Sequence, residues 1–274
     1  MSNWSDEIRI ASTLARQAGE VIMNIYKKDF SVSYKGANDP VTEADQQANT
    51  LIVKGLMTAF PDDRVVAEES PLPLEAQTTG RVWYVDPLDG TKEFISRNGD
   101  FSIMIGLTLD AKTQLGVVFW PTEDQLFAGI TDQEAWMEHQ GTRHPLKATQ
   151  TKSPQALSIV ASRSHRSPHL SAIKQKLNIQ EEHPMGSVGL KIGFIAKGGA
   201  DFYLEPGPYT KAWDACAPEA ILRGAGGCFT DIHGNPIQYG TNEFRNLHGI
   251  VGSTKDCHER VLKTLTGLCS TCDG

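Results

Sequence analysis

WYVDPLDGTKEF, residues 83–94, starts as a strand and breaks off in acids. The apolar run 82–85 predicts a β-strand that stops at Asp86, delivering its carboxylate to the end of a sheet. Pro87 fixes its own φ and biases Asp86 toward an extended conformation. Gly90 allows a sharp turn after Asp89, so the second carboxylate can swing back toward the first. The amides of Gly90 and Thr91 then face the same space, and a helix starting there would make them an anion site. Two acids this close repel each other unless a positive charge lies between them. The stretch therefore has two readings: an Asp-Pro-x-Asp-Gly turn in water, or a cradle for a divalent cation and an anion.

Further acids recur at predicted element ends. Glu68 and Glu69 follow the apolar run 65–67, Asp214 lies in AWDACAPEAIL where a helix should begin, and Asp45 lies in PVTEAD. Each also has a plain structural account. Glu68-Glu69 can be a solvated pair and Asp214 a helix N-cap. Thr42-Glu43-Ala44-Asp45 fits a capping box with Asp45 in place of the usual Glu. Together they gather acids where α/β folds collect ligands. Carboxylates beside phosphate-binding amides suit Mg²⁺-assisted phosphoryl chemistry, because Mg²⁺ takes few carboxylates plus waters and substrate oxygens. The spacing of Asp86 and Asp89 excludes the Asp-x-Asp motif of haloacid-dehalogenase-type phosphatases.

Around this centre, Trp4, Ile8, Ala11, Ala15, Ala18, Ile22 and Ile25 recur at helical spacing. They predict an amphipathic first helix with Ser5 as its cap and Asp6 and Glu7 in its first turn. A second helix should begin near Thr42, bury Ala48, Leu51, Ile52, Leu56 and Ala59, and stop at Phe60-Pro61. Strand-like runs at 65–67, 82–85, 102–109, 114–120 and 125–130 predict an antiparallel meander. Beyond residue 150 the pattern alternates. Strands are expected at 156–161, 201–204, 228–231 and 249–252, and helices at 169–177, 188–196, 214–223 and 256–268. The fold class is α+β: N-terminal helices and an antiparallel sheet in a lobe over 1–150, and an α/β lobe over 151–274 carrying Asp214.

The 274 residues carry a formal net charge of −7, which argues against nucleic acid or an acidic membrane as a partner. The N-terminus MSNWSDEIRI has acids where a signal peptide has bases, and no apolar stretch approaches the roughly 18 residues of a spanning helix. A cytoplasmic protein is expected. Five cysteines, an odd number, argue against a disulfide framework, and Cys269-x-x-Cys272 has no second pair to complete a zinc site.

WYVDPLDGT together with WDACAPEAIL resembles the paired signatures of the inositol monophosphatase superfamily, and PVTEAD and AEES match its two shorter motifs in the same order. The resemblance runs from about residue 8 to 268. It implies a layered αβαβα, sugar-phosphatase-like fold and a Mg²⁺-dependent, Li⁺-sensitive phosphomonoesterase. Within the superfamily, DGTKEF and WDACAPEAIL, with GGCFTDIHGNPIQY, resemble the 3′(2′),5′-bisphosphate nucleotidases, and SRSH at 162–165 is also seen in bacterial CysQ-type members. The implied reaction removes the 3′-phosphate of adenosine 3′,5′-bisphosphate, a product of sulfate activation, by metal-activated water. The resemblance implies two or three Mg²⁺ ions held by Glu68, Asp86, the Leu88 carbonyl, Asp89 and Asp214. Asp45 and Thr91, with Glu68, would orient and deprotonate the water, and the amides of Gly90 and Thr91 would hold phosphate. Ser187 and Lys191 of GSVGLKIG, together with His165, Glu205 and Asp214, would meet the substrate.

Glu205 departs from the pattern. Many relatives have an arginine there, whereas inositol monophosphatases use a glutamate on a sugar hydroxyl, with two fewer residues before the Trp-Asp pair. Glu205 can bind ribose, bind inositol or point to solvent. Arg163 and His165 can meet a second phosphate or a base, or form a basic loop. The rival activity is an inositol-phosphate or broader sugar-phosphate phosphatase, and a non-catalytic metal or nucleotide sensor is the alternative of another class.

Overall fold

The computed structural model describes residues 4–36, 39–72, 79–148, 150, 157–164, 166 and 170–269. Helix α1 (Ser5–Tyr26) leads through the hairpin β1 (Val32–Gly36) and β2 (Asp39–Thr42) into α2 (Glu43–Ala59). Strands β3 (Arg64–Ala67) and β4 (Arg81–Asp89) follow, then the short helix α3 (Thr91–Ile95). The meander β5 (Ser102–Leu109), β6 (Lys112–Trp120), β7 (Gln125–Ile130), β8 (Glu134–His139) and β9 (Thr142–Pro145) completes the first half. The second half runs β10 (Ser158–Ser162), α4 (Leu170–Leu177), β11 (Glu181–Met185), α5 (Val188–Ala196) and β12 (Phe202–Glu205). It ends with α6 (Ala212–Gly224), β13 (Cys228–Thr230), β14 (Ile250–Ser253) and α7 (His258–Cys269).

Strands β3 to β9 form a seven-stranded sheet in sequence order. Only its β3–β4 pair is parallel. The second sheet is mixed, in the order β11-β10-β12-β14-β13. Period-two alternation sorts the first sheet's side chains into two cores. Trp83, Val85, Ile103, Ile105, Leu115 and Val117 pack under α1 and α2. Val82, Tyr84, Met104, Val118 and Phe127 pack on the opposite side with α5 and α6. A third core joins the far side of the second sheet to α4 and α7 through Phe202, Leu204, Ile173 and Val261. The layers are therefore α1/α2, sheet, α5/α6, sheet, α4/α7. Because helices cover both faces, the central strands read as nearly continuous apolar runs.

The middle layer sits unusually close to the first sheet. Gly106, Gly116 and Gly129 are register partners across β5, β6 and β7. A Cβ at Gly116 would lie 2.3 Å from the Ala217 carbonyl oxygen, and one at Gly129 2.6 Å from Ile221 Cα. This row of missing side chains lets the backbone of α6 rest on the backbone of the sheet.

Local expectations needed adjustment at several ends. Trp4, not Ser5, occupies the N-cap of α1, without a side-chain cap bond. Its indole is buried instead. Thr42 caps α2 as expected, and its capping box uses Asp45. Ala59, expected inside, is exposed at the last turn. The predicted stop of the central strand at Asp86 falls short, because β4 continues to Asp89. Helix α6 begins two residues before Asp214, with Lys211 as its N-cap. Cys216, Cys228 and Cys257 are free thiols, while the Cys269-x-x-Cys272 pair lies outside the residues whose side chains are described. Among the described residues, no helix is long and apolar enough to cross a membrane.

Candidate active site

Asp86 and Asp89 are three positions apart, which in a regular strand would send them to opposite faces. Asp86 pairs with Met104 and Asp89 with Ser102, so β4 holds one residue more than β5 over this interval. That bulge, at a proline unable to donate to the ladder, brings both carboxylates to one side. Gly90 then turns the chain at φ +100° and serves as the N-cap of α3. A Cβ there would approach the Asp100 carbonyl oxygen to 2.9 Å, so glycine fits both the angle and the space.

Asp214 joins from α6. One oxygen from each of Asp86, Asp89 and Asp214 lies within 4.8 Å of the others. Each carboxylate is also anchored to the backbone. Asp86 Oδ1 accepts from Leu88 N at 2.9 Å, and Asp214 Oδ2 from Lys211 N at 2.7 Å. Asp89 Oδ2 accepts from Ser187 Oγ at 2.6 Å, Val188 N at 2.5 Å and Gly189 N at 3.2 Å, at the start of α5. Burial raises all three carboxyl pKa values. For Asp86 the charges of Glu68, Asp89 and Asp214 push it further, well above the ordinary range. Asp214 is pushed up to about 8 by burial and then by Glu68 and Asp89. For Asp89, the Lys191 ammonium and the donors at α5 offset part of the effect of burial. Mutual repulsion in a poorly solvated space is what a divalent cation relieves. The donors are all carboxylate oxygens, and among the described residues no His or Cys joins them, which fits a hard cation.

Asp45 stands beside this cluster, and its two oxygens face different partners. Its Oδ2 accepts from Thr42 N at 2.8 Å and Thr42 Oγ1 at 2.6 Å, closing the capping box. Its Oδ1 accepts from Thr91 Oγ1 at 3.1 Å. Thr91 Oγ1 also lies 3.3 Å from the Leu88 carbonyl oxygen. Burial raises the Asp45 pKa, and hydrogen bonds from Thr42 and Thr91 oppose the shift. Glu68 stands outside the group of three. Its Oε1 is 3.3 Å from Lys211 Nζ and 3.5 Å from Lys35 Nζ, two cations that no motif pointed to.

A cavity of about 600 Å³ is lined by Glu68, Asp86, Asp89, Thr91 and Asp214, and Ser187, Lys191 and Glu205 also line it. Ser187 caps α5 at φ +52° and accepts from Leu190 N. Lys191 is buried, and burial lowers its pKa against the opposing pull of Asp89, Glu93 and Glu205. Glu205 is 6% exposed, which removes the solvent-facing alternative. Its Oε1 accepts from Gly207 N at 3.1 Å, and burial raises its pKa. Arg163 is engaged by Asp100, with Nη2 to Oδ2 at 2.5 Å. His165 lies outside the described residues.

The profile of the inositol monophosphatase family matches residues 3–268. The 3′(2′),5′-bisphosphate nucleotidase CysQ of Escherichia coli K12 is 40% identical over 235 residues, covering 84% of this chain and 92% of that protein. The Nus factor SuhB of Pasteurella multocida is 30% identical, covering 83% and 85%. Among solved structures, the Thermotoga maritima IMPase superposes with a TM-score of 0.82 at 23% identity, over 97% of this chain and 99% of that one. CysQ from Bacteroides thetaiotaomicron superposes with a TM-score of 0.75 at 29% identity, over 91% and 98%. The carboxylate cluster and these relatives identify a phosphomonoesterase acting on phosphorylated sugars or nucleotides, and the chain belongs to the inositol monophosphatase family.

Proposed function

We propose that this chain is a Mg²⁺-dependent 3′(2′),5′-bisphosphate nucleotidase, releasing AMP and phosphate from adenosine 3′,5′-bisphosphate. The observation that carries the reading is the cluster of Asp86, Asp89 and Asp214 beside the Asp45–Thr91 hydrogen bond. The sequence relatives named CysQ support the nucleotide as substrate. In this reading Glu68, Asp86, the Leu88 carbonyl, Asp89 and Asp214 hold the cations, which supply Lewis-acid stabilisation of the phosphate and of the entering and leaving oxygens.

The chain's own groups do the rest. The amides of Gly90 and Thr91 hold the phosphate at the turn into α3. The Thr91 hydroxyl takes a proton from the attacking water and passes its own to Asp45 Oδ1, 3.1 Å away. A carboxylate whose pKa is raised by burial is the better acceptor for that proton. Glu68 helps to orient the water. Ser187, Lys191 and Glu205 meet the sugar side of the substrate, and His165 is assigned to the second phosphate or the base.

A second reading, an inositol-phosphate phosphatase, is favoured by one observation: Glu205 is buried in the cavity wall, where it can accept from a sugar hydroxyl. Phosphate release from adenosine 3′,5′-bisphosphate and inositol 1-phosphate, with and without Mg²⁺, separates the two. Preference for the nucleotide supports the first reading and preference for inositol phosphate the second. No Mg²⁺-dependent release from either substrate refutes both.

A further inference from the structure

Five large apolar or aromatic side chains are exposed among the described residues: Tyr34, Met57, Leu72, Tyr209 and Leu247. Only Tyr209 lines the cavity that holds the carboxylate cluster. It is 76% exposed, in the segment Glu205-Pro-Gly-Pro-Tyr209 between β12 and α6, five residues before Asp214. An aromatic ring left open at the mouth of a polar cavity has an apolar face that is costly to hydrate. It suits a flat, apolar partner.

The surrounding chain holds this ring in place. A Cβ on Gly207 would lie 2.3 Å from Tyr209 Cε2 and 2.6 Å from Cδ2, so the ring packs against the bare backbone of that glycine. The Gly207 amide donates to Glu205 Oε1 at 3.1 Å, which fixes the turn from the β12 side. From the α6 side, Asn246 Nδ2 donates to Thr210 Oγ1 and to the Lys211 carbonyl, both at 3.0 Å, and Asn246 N donates to the Thr210 carbonyl at 2.8 Å. Below, Gly249 approaches so closely that a Cβ would lie 2.1 Å from the Glu205 carbonyl oxygen. Two prolines stiffen what remains.

We infer that Tyr209 is a stacking platform for the nucleobase of the substrate, held by Gly207 and the Glu205 carboxylate; this rests on the nucleotide reading proposed above. Glu205 thereby acts as a positioning residue, fixing the turn through Gly207. The platform rewards a substrate with a π-face over a cyclitol, so it sets specificity at the far end from the phosphate.

The test compares wild type, Tyr209→Ala, Tyr209→Trp and Gly207→Ala, using adenosine 3′,5′-bisphosphate and the base-free glycerol 2-phosphate. Thermal melts check that each variant is folded. Tyr209→Ala is expected to raise KM for the nucleotide at least about tenfold, equivalent to about 1.4 kcal/mol, and to lower the ratio of kcat/KM values for nucleotide over glycerol phosphate accordingly. Tyr209→Trp should restore the ratio, and Gly207→Ala, which displaces the ring, should lower it. A Tyr209→Ala enzyme with nucleotide KM within about twofold of wild type overturns the platform and leaves the nucleotidase reading standing. A wild type that hydrolyses glycerol phosphate but not the nucleotide overturns the nucleotidase reading, and the platform with it.

Discussion

Replacing Gly116 by alanine tests whether packing in the middle layer governs the site. The added methyl would sit 2.3 Å from the Ala217 carbonyl oxygen and 2.5 Å from Ala217 Cα, whereas ordinary contact begins at 3.4 Å. To restore that contact, α6 must retreat from the sheet by about 1 Å. It has little room, because Ala215 and Leu222 of α6 share their core with Ile192 of α5 and Phe229 of the second sheet. Overpacking against rigid backbone costs about 3 kcal/mol, the upper part of the usual range. For a chain of this size that lowers Tm by about 6–12 °C. The same shift carries Asp214 away from Asp86 and Asp89, so Mg²⁺ affinity should fall along with stability. Calorimetric melting gives the first quantity and isothermal titration with Mg²⁺ the second. Gly36→Ala, where an added Cβ meets nothing within 4 Å, controls for the melt. A Gly116→Ala protein with unchanged Tm and unchanged Mg²⁺ affinity would refute the backbone-on-backbone packing and its link to the site.

Three other outcomes follow from the geometry. Asp45→Asn keeps an acceptor for Thr42 but loses the proton acceptor facing Thr91, so turnover should fall by about 10²–10⁴ while KM and Tm change little. Parallel losses in turnover and stability would make Asp45 structural only. Asp89→Asn likewise leaves an oxygen for the amides of Val188 and Gly189, so the fold should persist while Mg²⁺ no longer raises Tm. A normal Mg²⁺-induced rise in that variant would remove Asp89 from the cation site. For pH, Asp214 is pushed up to about 8 from an unfolded value of 3.8, so the folded, cation-free protein binds the extra proton. Its stabilising contribution is complete below 3.8 and is lost as pH rises through about 8, at about 1.4 kcal/mol per pH unit for one proton. Melts in chelator should therefore fall with pH between about 4 and 8, level off above about 8, and lose this dependence when Mg²⁺ is added, and a rising Tm in chelator would contradict the assignment.

Where sequence and structure agree, the signal was periodicity with a buried face. Helix α5 and strand β5 have the predicted bounds, since an apolar run ends at clear breakers on each side. The elements left unpredicted lack such a face. Strand β11, EEHPM, is an edge strand with acids, a histidine and a proline, and only neighbouring β10 defines it. The β1 residues are mostly exposed, and β8 and β9 extend the meander in short, half-polar steps. Local spacing made the acids visible but could not give their parity, because the bulge at Pro87 decides on which side Asp89 emerges. The contacts of Asp89 with Ser187 and of Glu68 with Lys211 span 98 and 143 residues, beyond the reach of any local pattern. Only the motif resemblance had placed Ser187 at the site. No periodicity or motif singles out Tyr209, although the flanking Pro-Gly-Pro is a sign of a stiff turn presenting its next side chain.

The backbone anchors of the three clustered aspartates have a consequence for association thermodynamics. Asp86, Asp89 and Asp214 each hold at least one main-chain amide, so folding itself selects their rotamers. The conformational entropy of these side chains is surrendered when the helices and the bulge form, not when an ion arrives. Flexible ligands would each lose at least about 0.5 kcal/mol on immobilisation, so three of them would weaken binding by roughly 1.5 kcal/mol, or about tenfold. Here that loss belongs to the folding equilibrium, and the cation meets ligands whose rotamers are already set.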